Sequence, residues 1–447
     1  MTERWDNKAL FRLIWPLVIE QLLAVTMGTA DTIMVASVGE HAVSGVNIID
    51  NINNLLIIAF VALATGGAVV VSQYIGRRDS KNTNLAGRQL IYAVTIISLV
   101  IMAVALCLNR HIIRLIYGNI EADVMNAASV YFFITAISYP FLAINNASAA
   151  IFRAVGNSKV AMYIALLVNV IKICLNALFI FGLDMGVAGA ALSTCLCRAL
   201  AAIILTSMLV NSRRGPISLA GLFKIKFVRS TLVSILNVGI PSGIESSMFQ
   251  IGRLLTQRIF TTFGTVAFAA NAVASVINSF SFMPGTAFGI ALLTVVGQCV
   301  GAGDYEAAKK YAAKLLRIAY LVILATSSLT FIFMDPLIGI YNLSDGAREL
   351  ARSFLRIHCI SMGLGWVFSF ALPNALRAAG DARYVMIVAS VSMWTVRVSV
   401  AYILTYIVGL GPVSVWLAMG GDFLVRGTFY LTRWLRGNWQ GKKVIKD

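Results

Sequence analysis

The chain has 447 residues, of which 59% are hydrophobic and only 12% are charged, and its mean hydropathy is +0.83. This composition excludes a soluble globular protein, in which about 25% of residues are charged. The net charge of +17 is scattered over short loops rather than gathered on one module, which argues against nucleic-acid binding. The chain is therefore expected to be an integral membrane protein.

Apolar runs of roughly 20 residues or more recur along the whole chain, and each is long enough to cross a membrane as a helix. Runs such as LIYAVTIISLVIMAVALCL are apolar on every face, whereas membrane strands would alternate. We predict about twelve transmembrane helices, which start near Phe11, Ile48, Arg88, Met125, Val160, Gly186, Ser234, Ala272, Ala313, Leu350, Tyr384 and Gly411.

Lysine and arginine are unevenly distributed between alternate loops. Most lie before the first predicted helix, in every second loop and after the last helix, whereas the opposite side has Arg110, Arg114, Arg348 and Arg352. Positive residues stay on the cytoplasmic side of a membrane. The pattern therefore predicts an even number of helices in the cell (inner) membrane, with both termini cytoplasmic.

The first predicted helix contains two acidic residues, Glu20 in PLVIEQ and Asp31 in TADTIMVASVG. A carboxylate in the hydrocarbon region is costly, so it is expected to be either paired with a base or functional. Both residues are candidates for binding a coupling cation.

The fifth and sixth predicted helices carry polar residues at the depth of Asp31. Lys172 and Asn176 are four residues apart and share one helix face, and Thr194 lies at a similar depth on the sixth helix. We predict a polar cluster of these four residues, in which Asp31 binds and releases a proton; a structural aspartate is the alternative.

The chain is internally duplicated. PLVIEQ at Pro16 matches PSGIES at Pro241, VSQYIGRRD at Val71 matches VGQCVGAGD at Val296, and FRAVGNSKVAM matches LRAAGDARYVM, at offsets of 224 or 225 residues. Six helices in each half give both halves the same orientation, which makes this a parallel repeat. We predict an all-α fold of two six-helix bundles, residues 1–210 and 231–447, joined by a cytoplasmic linker at 211–230, with a cleft between the bundles.

This architecture favours a transporter that works by alternating access. A channel would be expected to show a ring of pore charges or a filter loop, and an enzyme would need a convergent catalytic group. Neither pattern is present in the sequence. The six cysteines and three histidines are scattered, so no metal site and no cofactor are expected.

The duplication also pairs the charged residues of the two halves. Glu245 corresponds to Glu20, and Arg397 corresponds to Lys172. We predict an ion pair between Glu20 and Lys172 and another between Glu245 and Arg397, which serve either as structural bonds or as a proton or cation relay. Asp31 has no acidic counterpart, and the two halves are therefore expected to differ in chemistry.

The sequence resembles the multidrug and toxic compound extrusion (MATE) transporters over nearly its whole length. The resemblance rests on the duplicated twelve-helix layout and on ADTIMVASVG, LFIFGLDMGVAGAALST, RAVGNS, RAAGDA and SQYIGRRD in this order. It implies efflux of organic, mostly cationic or lipophilic compounds and hence antibiotic resistance. It also implies that inward flow of H+ or Na+ drives transport through a V-shaped cleft between two lobes.

The resemblance also implies roles for single residues. Asp31 matches the acid of the family's N-lobe cation site, and its companions match Lys172, Asn176 and Thr194. Many members have an asparagine and then an aspartate where this chain has Lys172 and Asn176. A lysine beside Asp31 would repel Na+, which favours H+ as the coupling ion over Na+.

Some family members use an acid in the seventh helix together with an aspartate in the tenth. Glu245 matches the first of these, but no carboxylate occurs between Glu349 and Asp381 to match the second. We therefore expect a different C-lobe network, in which Glu245 joins Arg397 and Asp422.

The remaining expectations concern the cleft and the partners. Small organic substrates and membrane lipids are the expected partners of a monomeric protein. A lipid-linked saccharide flippase is the alternative function, because Arg198, Arg253 and Arg258 could bind a diphosphate; a receptor or scaffold has less support. The candidate substrate-contacting residues are Asn47, Asn51, Asn54, Phe280, Phe282 and Met283.

Overall fold

A computed structural model of the protein describes residues 5–118, 121–212 and 217–445. These residues are almost entirely helical, and no β-strand occurs among them. The helices of the first half are α1 (Asn7–Ala36), α2 (Glu40–Gly76), α3 (Ser80–Cys107), α4 (Asn109–Tyr117), α5 (Ala122–Ile137), α6 (Tyr139–Val155), α7 (Ser158–Gly182) and α8 (Gly186–Val210). Those that follow are α9 (Arg229–Thr262), α10 (Gly264–Gly301), α11 (Tyr305–Ile332), α12 (Met334–Gly339), α13 (Asp345–Ala378), α14 (Ala382–Ile407) and α15 (Val413–Leu435).

Within the described ranges, ten helices are long and apolar enough to cross a membrane. An eleventh span forms if α5 and α6, which meet at an angle of 48°, count as one. Helix α15 is also long, with 23 residues, but Asp422, Arg426 and Arg433 make it less apolar. The protein is thus a multi-pass membrane protein, and the prediction of an all-helical, duplicated membrane fold is confirmed.

The first compact unit spans Leu10–Ile240. Helices α2, α3, α5, α6 and α8 pack together in it, with α2 and α6 in extensive contact. Small residues allow close approach between helices. At Gly66 of α2, a Cβ atom would lie 2.4 Å from the carbonyl oxygen of Ile235, so only glycine permits this contact with the start of α9.

The second compact unit comprises Met1–Ala9 and Pro241–Asp447. Helix α10 is its longest, with 38 residues, and is mostly buried. The chain after α15 folds back on this unit, where Trp439 stacks on Trp434 with ring centroids 4.2 Å apart. Asp381, at the start of α14, fixes this segment because it accepts hydrogen bonds from Arg433 and Lys442, each at 2.8 Å.

The repeated sequence motifs mark equivalent helix ends in the two units. Asp79 caps α3 by accepting a hydrogen bond from the backbone N–H of Asn82, and Asp304 caps α11 in the same way. After α6 and α13, Gly156 and Gly380 adopt φ values of 93° and 97°, which glycine reaches without strain. The duplication therefore preserves the residues that start and end the helices.

Candidate functional site

A cavity of about 130 Å³ lies inside the first unit, between helices α1, α2, α5, α7 and α8. Charged and polar side chains dominate its lining, although the surrounding helices are apolar. Drug-sized ligands occupy pockets of about 300–1,000 Å³, so this cavity suits ions and water rather than a drug. Its polar lining residues are Asp31, Asn47, Asp50, Tyr131, Lys172, Asn176, Thr194 and Arg198.

Asp31 is the most strongly bonded acid of this cavity. Lys172 Nζ donates a hydrogen bond to its Oδ2, and Asn176 Nδ2 donates to its Oδ1 at 2.9 Å. Both donors come from one face of α7, as expected from their spacing of four residues. The ion pair is only partly shielded, since the side chains of Asp31 and Lys172 are 29% and 14% exposed.

Asn176 is held in place by a residue of the next helix, and a change of helix type follows it directly. Its Oδ1 accepts a hydrogen bond from Ser193 of α8, which directs the amide N–H toward Asp31. A π-helical turn, Ala177–Gly182, begins directly after Asn176, and such turns are frequent at functional sites. Thr194 lines the cavity, but its hydroxyl donates to the Ala190 carbonyl at 3.0 Å.

Glu20 does not pair with Lys172, and this prediction is wrong. Arg153 Nη2, near the end of α6, donates to Glu20 Oε1 at 2.7 Å, while Lys172 is engaged by Asp31. The aliphatic stem of an arginine can lie along an apolar surface, and Arg153 thus extends from the end of α6 to Glu20. Glu20 does not line the cavity and therefore lies apart from Asp31.

The predicted pair of Glu245 with Arg397 is wrong for the same reason. Arg377 Nη2 donates to both carboxylate oxygens of Glu245 at 2.6 Å, and both side chains are largely buried. Arg377 occupies the place in RAAGDA that Arg153 occupies in RAVGNS. The repeated arginine was the sequence signal for both pairs.

Arg397 instead belongs to a charged cluster with Asp422 and Arg426. Asp422 is fully buried and accepts a hydrogen bond from Ser392 Oγ at 2.6 Å. Its Oδ2 lies 3.3 Å from Arg426 Nη2 and 3.8 Å from Arg397 Nη1. The guanidinium of Arg397 also stacks over Phe249, 5.0 Å from the ring centroid. Arg397 and Asp422 thus meet, while Glu245 pairs elsewhere.

Sequence reasoning missed two polar residues of the cavity, Asp50 and Tyr131, and it did not predict that Arg198 lies beside Asp31 and Lys172 in the same cavity. Asp50 was overlooked because the second helix was predicted to start near Ile48. Helix α2 begins at Glu40, which places Asp50 about three turns inside it. If the second helix is predicted to begin just after Gly39, Asp50 is recognised as an acid inside a membrane-spanning helix.

The residues proposed for substrate contact lie in different surroundings. Asn47 lines the cavity, whereas Asn51 and Asn54 are exposed outside it. In the second unit, Phe280 is exposed and Phe282 stacks on Trp366 at 6.1 Å. Met283 is buried, with 4% exposed, so it packs in the core.

Among the described residues, no group of three or more His, Cys, Asp or Glu side chains is arranged to hold a metal ion.

Comparisons with known proteins agree with the duplication. The MatE family model matches twice, at residues 16–178 and 241–403. An uncharacterized transporter, YisQ of Bacillus subtilis (strain 168), is 30% identical over 96% of this chain and 94% of its own. A probable multidrug resistance protein, NorM of Thermotoga maritima, is 27% identical over 98% and 94% of the two chains.

A solved structure, described as the crystal structure of MATE in the bent conformation, has the same fold. It superposes with a TM-score of 0.90 at 21% identity and covers 98% of this chain and 97% of its own.

Proposed function

The chain belongs to the MatE family of multidrug and toxic compound efflux transporters, and we propose that it expels organic compounds in exchange for inward H+. The expelled compounds are mostly cationic or lipophilic. The observation that carries the proposal is the ion pair of Asp31 with Lys172, which lines a polar cavity inside an apolar bundle.

The choice of H+ rests on the position of the lysine ammonium. Lys172 Nζ donates a hydrogen bond to Asp31 Oδ2, so a sodium ion bound to this carboxylate would lie close to the ammonium. Two like charges 4 Å apart repel by about 4 kcal/mol at an effective dielectric constant of about 20. A proton is not excluded in this way, because it binds the carboxylate oxygen itself and releases the lysine.

Proton binding at Asp31 also explains exchange with a cation. A proton neutralises the carboxylate and leaves the Lys172 charge unpaired, so the site becomes more positive and disfavours a second cation nearby. Release of the proton restores the ion pair. An equilibrium between two cleft orientations can thus be biased in opposite directions by the two ligands.

The proposed function also implies how the chain is arranged in the membrane. We propose that the chain is organised as two lobes, residues 1–210 and 231–447, which are joined by the linker 211–230. Both termini lie in the cytoplasm and the protein resides in the inner membrane as a monomer. It contacts lipids, needs no cofactor and catalyses no chemical reaction.

The experiment is transport by purified protein in liposomes, with ethidium as a fluorescent organic cation. We expect a pH gradient to drive ethidium transport and a Na+ gradient to be ineffective. Asp31→Asn should abolish the pH-driven component. Asp123→Asn is the matched control, because Asp123 is an exposed acid in the first turn of α5. Transport driven by Na+ alone, or an unimpaired Asp31→Asn variant, would contradict proton coupling at Asp31.

A lipid-linked saccharide flippase is the second candidate, and one observation favours it. Arg198 lines the cavity, and a guanidinium binds phosphate groups well. Liposomes that contain a fluorescent polyprenyl diphosphate saccharide distinguish the two functions. Movement of this lipid between leaflets, without ethidium transport, would identify a flippase.

A further inference from the structure

The cavity contains a second carboxylate, Asp50 of α2, whose bonding differs from that of Asp31. Its Oδ1 accepts a hydrogen bond from Tyr131 Oη at 3.3 Å and a long one from Asn53 Nδ2 at 3.5 Å. Within the described parts of the chain, no lysine or arginine lies within 4.0 Å of its oxygens. Asp31 is thus paired with a cation, whereas Asp50 is held only by neutral donors.

Two cations also line the cavity, and among the described residues only Lys172 forms an ion pair. Lys172 contacts Asp31, while Arg198 Nη1 donates to Ser138 Oγ at 2.7 Å, at the bend between α5 and α6. Two acids and two bases cancel in charge when all four are ionised. An added proton therefore makes the cavity positive, and Asp31 and Asp50 are the two acids that can accept it.

We propose that Asp50 is a second proton-binding residue of the coupling site, and that Lys172 moves from Asp31 to Asp50 as the proton passes between them. The proposal rests on the proton exchange proposed above. In the first state of this proposal Asp50 carries the proton, and Lys172 pairs with Asp31 as it does in the structure. When the O–H bond of Asp50 breaks and an O–H bond forms at Asp31, the ammonium follows the negative charge to Asp50.

The surroundings of Asp50 permit this transfer. The cavity volume of about 130 Å³ is well above the roughly 10–15 Å³ that a single water molecule needs, so the cavity has room for water. Water in the cavity can carry the proton between the two carboxyl groups. Asn53, which donates to Asp50, is itself fixed because Tyr139 Oη donates to its Oδ1 at 2.8 Å.

The charged and titratable groups that face Asp50 come from each neighbouring helix. Asp31 belongs to α1, Tyr131 to α5, Tyr139 to α6, Lys172 to α7 and Arg198 to α8. Lys172 is flexible, with four rotatable bonds and three donors, whereas the Arg198 guanidinium is anchored on Ser138. Lys172 is therefore the cation that can change partner.

The test compares Asp50→Asn, Asp50→Glu and the control Asp123→Asn in liposomes, with two measurements on each. The first is ethidium uptake driven by a pH gradient, and the second is exchange of ethidium across the membrane without any gradient. Asp50→Asn should retain exchange but lose most of the gradient-driven uptake. The difference in ethidium affinity between acidic and alkaline buffer should shrink by about fivefold or more, since two coupled ligands alter each other's affinity by about 5–150-fold.

Asp50→Glu keeps a carboxyl group and should restore gradient-driven uptake, with the pH of half-maximal rate displaced from that of wild type. A merely structural Asp50 would lower exchange and gradient-driven uptake together and leave the pH profile in place. If Asp50→Asn does not fold, an unchanged pH profile in Asp50→Glu overturns the proposal by itself.

The failure of this inference is distinguishable from failure of the proposed function. Wild type that responds to a pH gradient, together with an Asp50→Asn variant that couples normally, overturns the role of Asp50 alone. Wild type that transports ethidium without any response to a pH gradient overturns both.

Discussion

Glu245 of α9 accepts two hydrogen bonds from one nitrogen of Arg377, near the end of α13. The corresponding residues of the first half, Glu20 and Arg153, form the same pair. Each pair joins the first long helix of a repeat to the end of the fourth span, and its role can be tested separately from transport.

Glu245→Gln should destabilise the protein, because Arg377 keeps its buried charge and loses its charged acceptor. Hydrogen bonds to charged groups contribute about 1.5–3 kcal/mol, so a lower Tm in detergent is expected. Glu306→Gln is the control, because Glu306 forms an exposed pair with Lys309 at 3.0 Å, and exposed pairs contribute about 0–1 kcal/mol. Equal Tm values for both variants would show that the buried pair is not a stabilising bond.

Asp422→Asn should have the larger effect. Asp422 is fully buried between Arg397 and Arg426, and removal of one partner from a buried charged group costs about 3–5 kcal/mol. The double variant Asp422→Asn with Arg397→Met also removes one of the two unpaired arginine charges. It should therefore recover part of the lost stability. Thermal unfolding in detergent measures both. A double variant less stable than the single one would contradict this account of the cluster.

Lys172→Asn should change the ion selectivity of transport. Without the ammonium, Asp31 keeps its bond from Asn176 and gains a neutral neighbour, so Na+ can approach. We expect ethidium transport to become responsive to a Na+ gradient. Lys309→Asn, which alters an exposed lysine of α11, should leave the ion dependence of transport unchanged. A Lys172→Asn variant that ignores Na+ but still responds to a pH gradient would show that the lysine does not exclude Na+.

The helix cap at Asp79 gives a pH-dependent contribution to stability. The backbone N–H of Asn82 donates to this carboxylate and lowers its pKa below 3.8. The stabilisation is therefore complete above the unfolded pKa and is lost as the pH falls through the lower folded pKa. Asp79→Ala should cost about 1 kcal/mol at neutral pH, measured by thermal unfolding. Asp79→Asn keeps a capping side chain and should lose the pH dependence. An acid-sensitive contribution that persists in Asp79→Asn would have to come from another group.

The sequence predicts the helices, the duplication and part of the cavity, for physical reasons. Apolar runs of membrane length leave little choice of secondary structure, and the spacing of Lys172 and Asn176 determines that both face one side. Their contact with Asp31 could be predicted because all three residues lie at a similar depth in the membrane. These features depend on the local sequence, so they can be predicted without knowing how the helices pack.

The ion pairs and the second acid of the cavity could not be predicted. They depend on how far a side chain extends and on the residue at which a helix begins. Arg153 and Arg377 lie near the ends of their helices, where they look like ordinary cytoplasmic arginines, yet they extend far enough to meet Glu20 and Glu245. Asp50 was missed because α2 begins at Glu40 rather than near Ile48. Neither the reach of an arginine nor the first turn of a helix is specified by hydropathy.

The two glutamate–arginine pairs bear on the history of the chain. Each pair lies within one repeat, and corresponding residues are separated by 224 or 225 positions. A single origin of this bond between the first and fourth spans, in a half-length chain before the duplication, accounts for the matching positions of the two pairs. Asp31 and Asp50 occur in the first half only, so the proposed proton binding is confined to one repeat, whereas the glutamate–arginine pair is present in both.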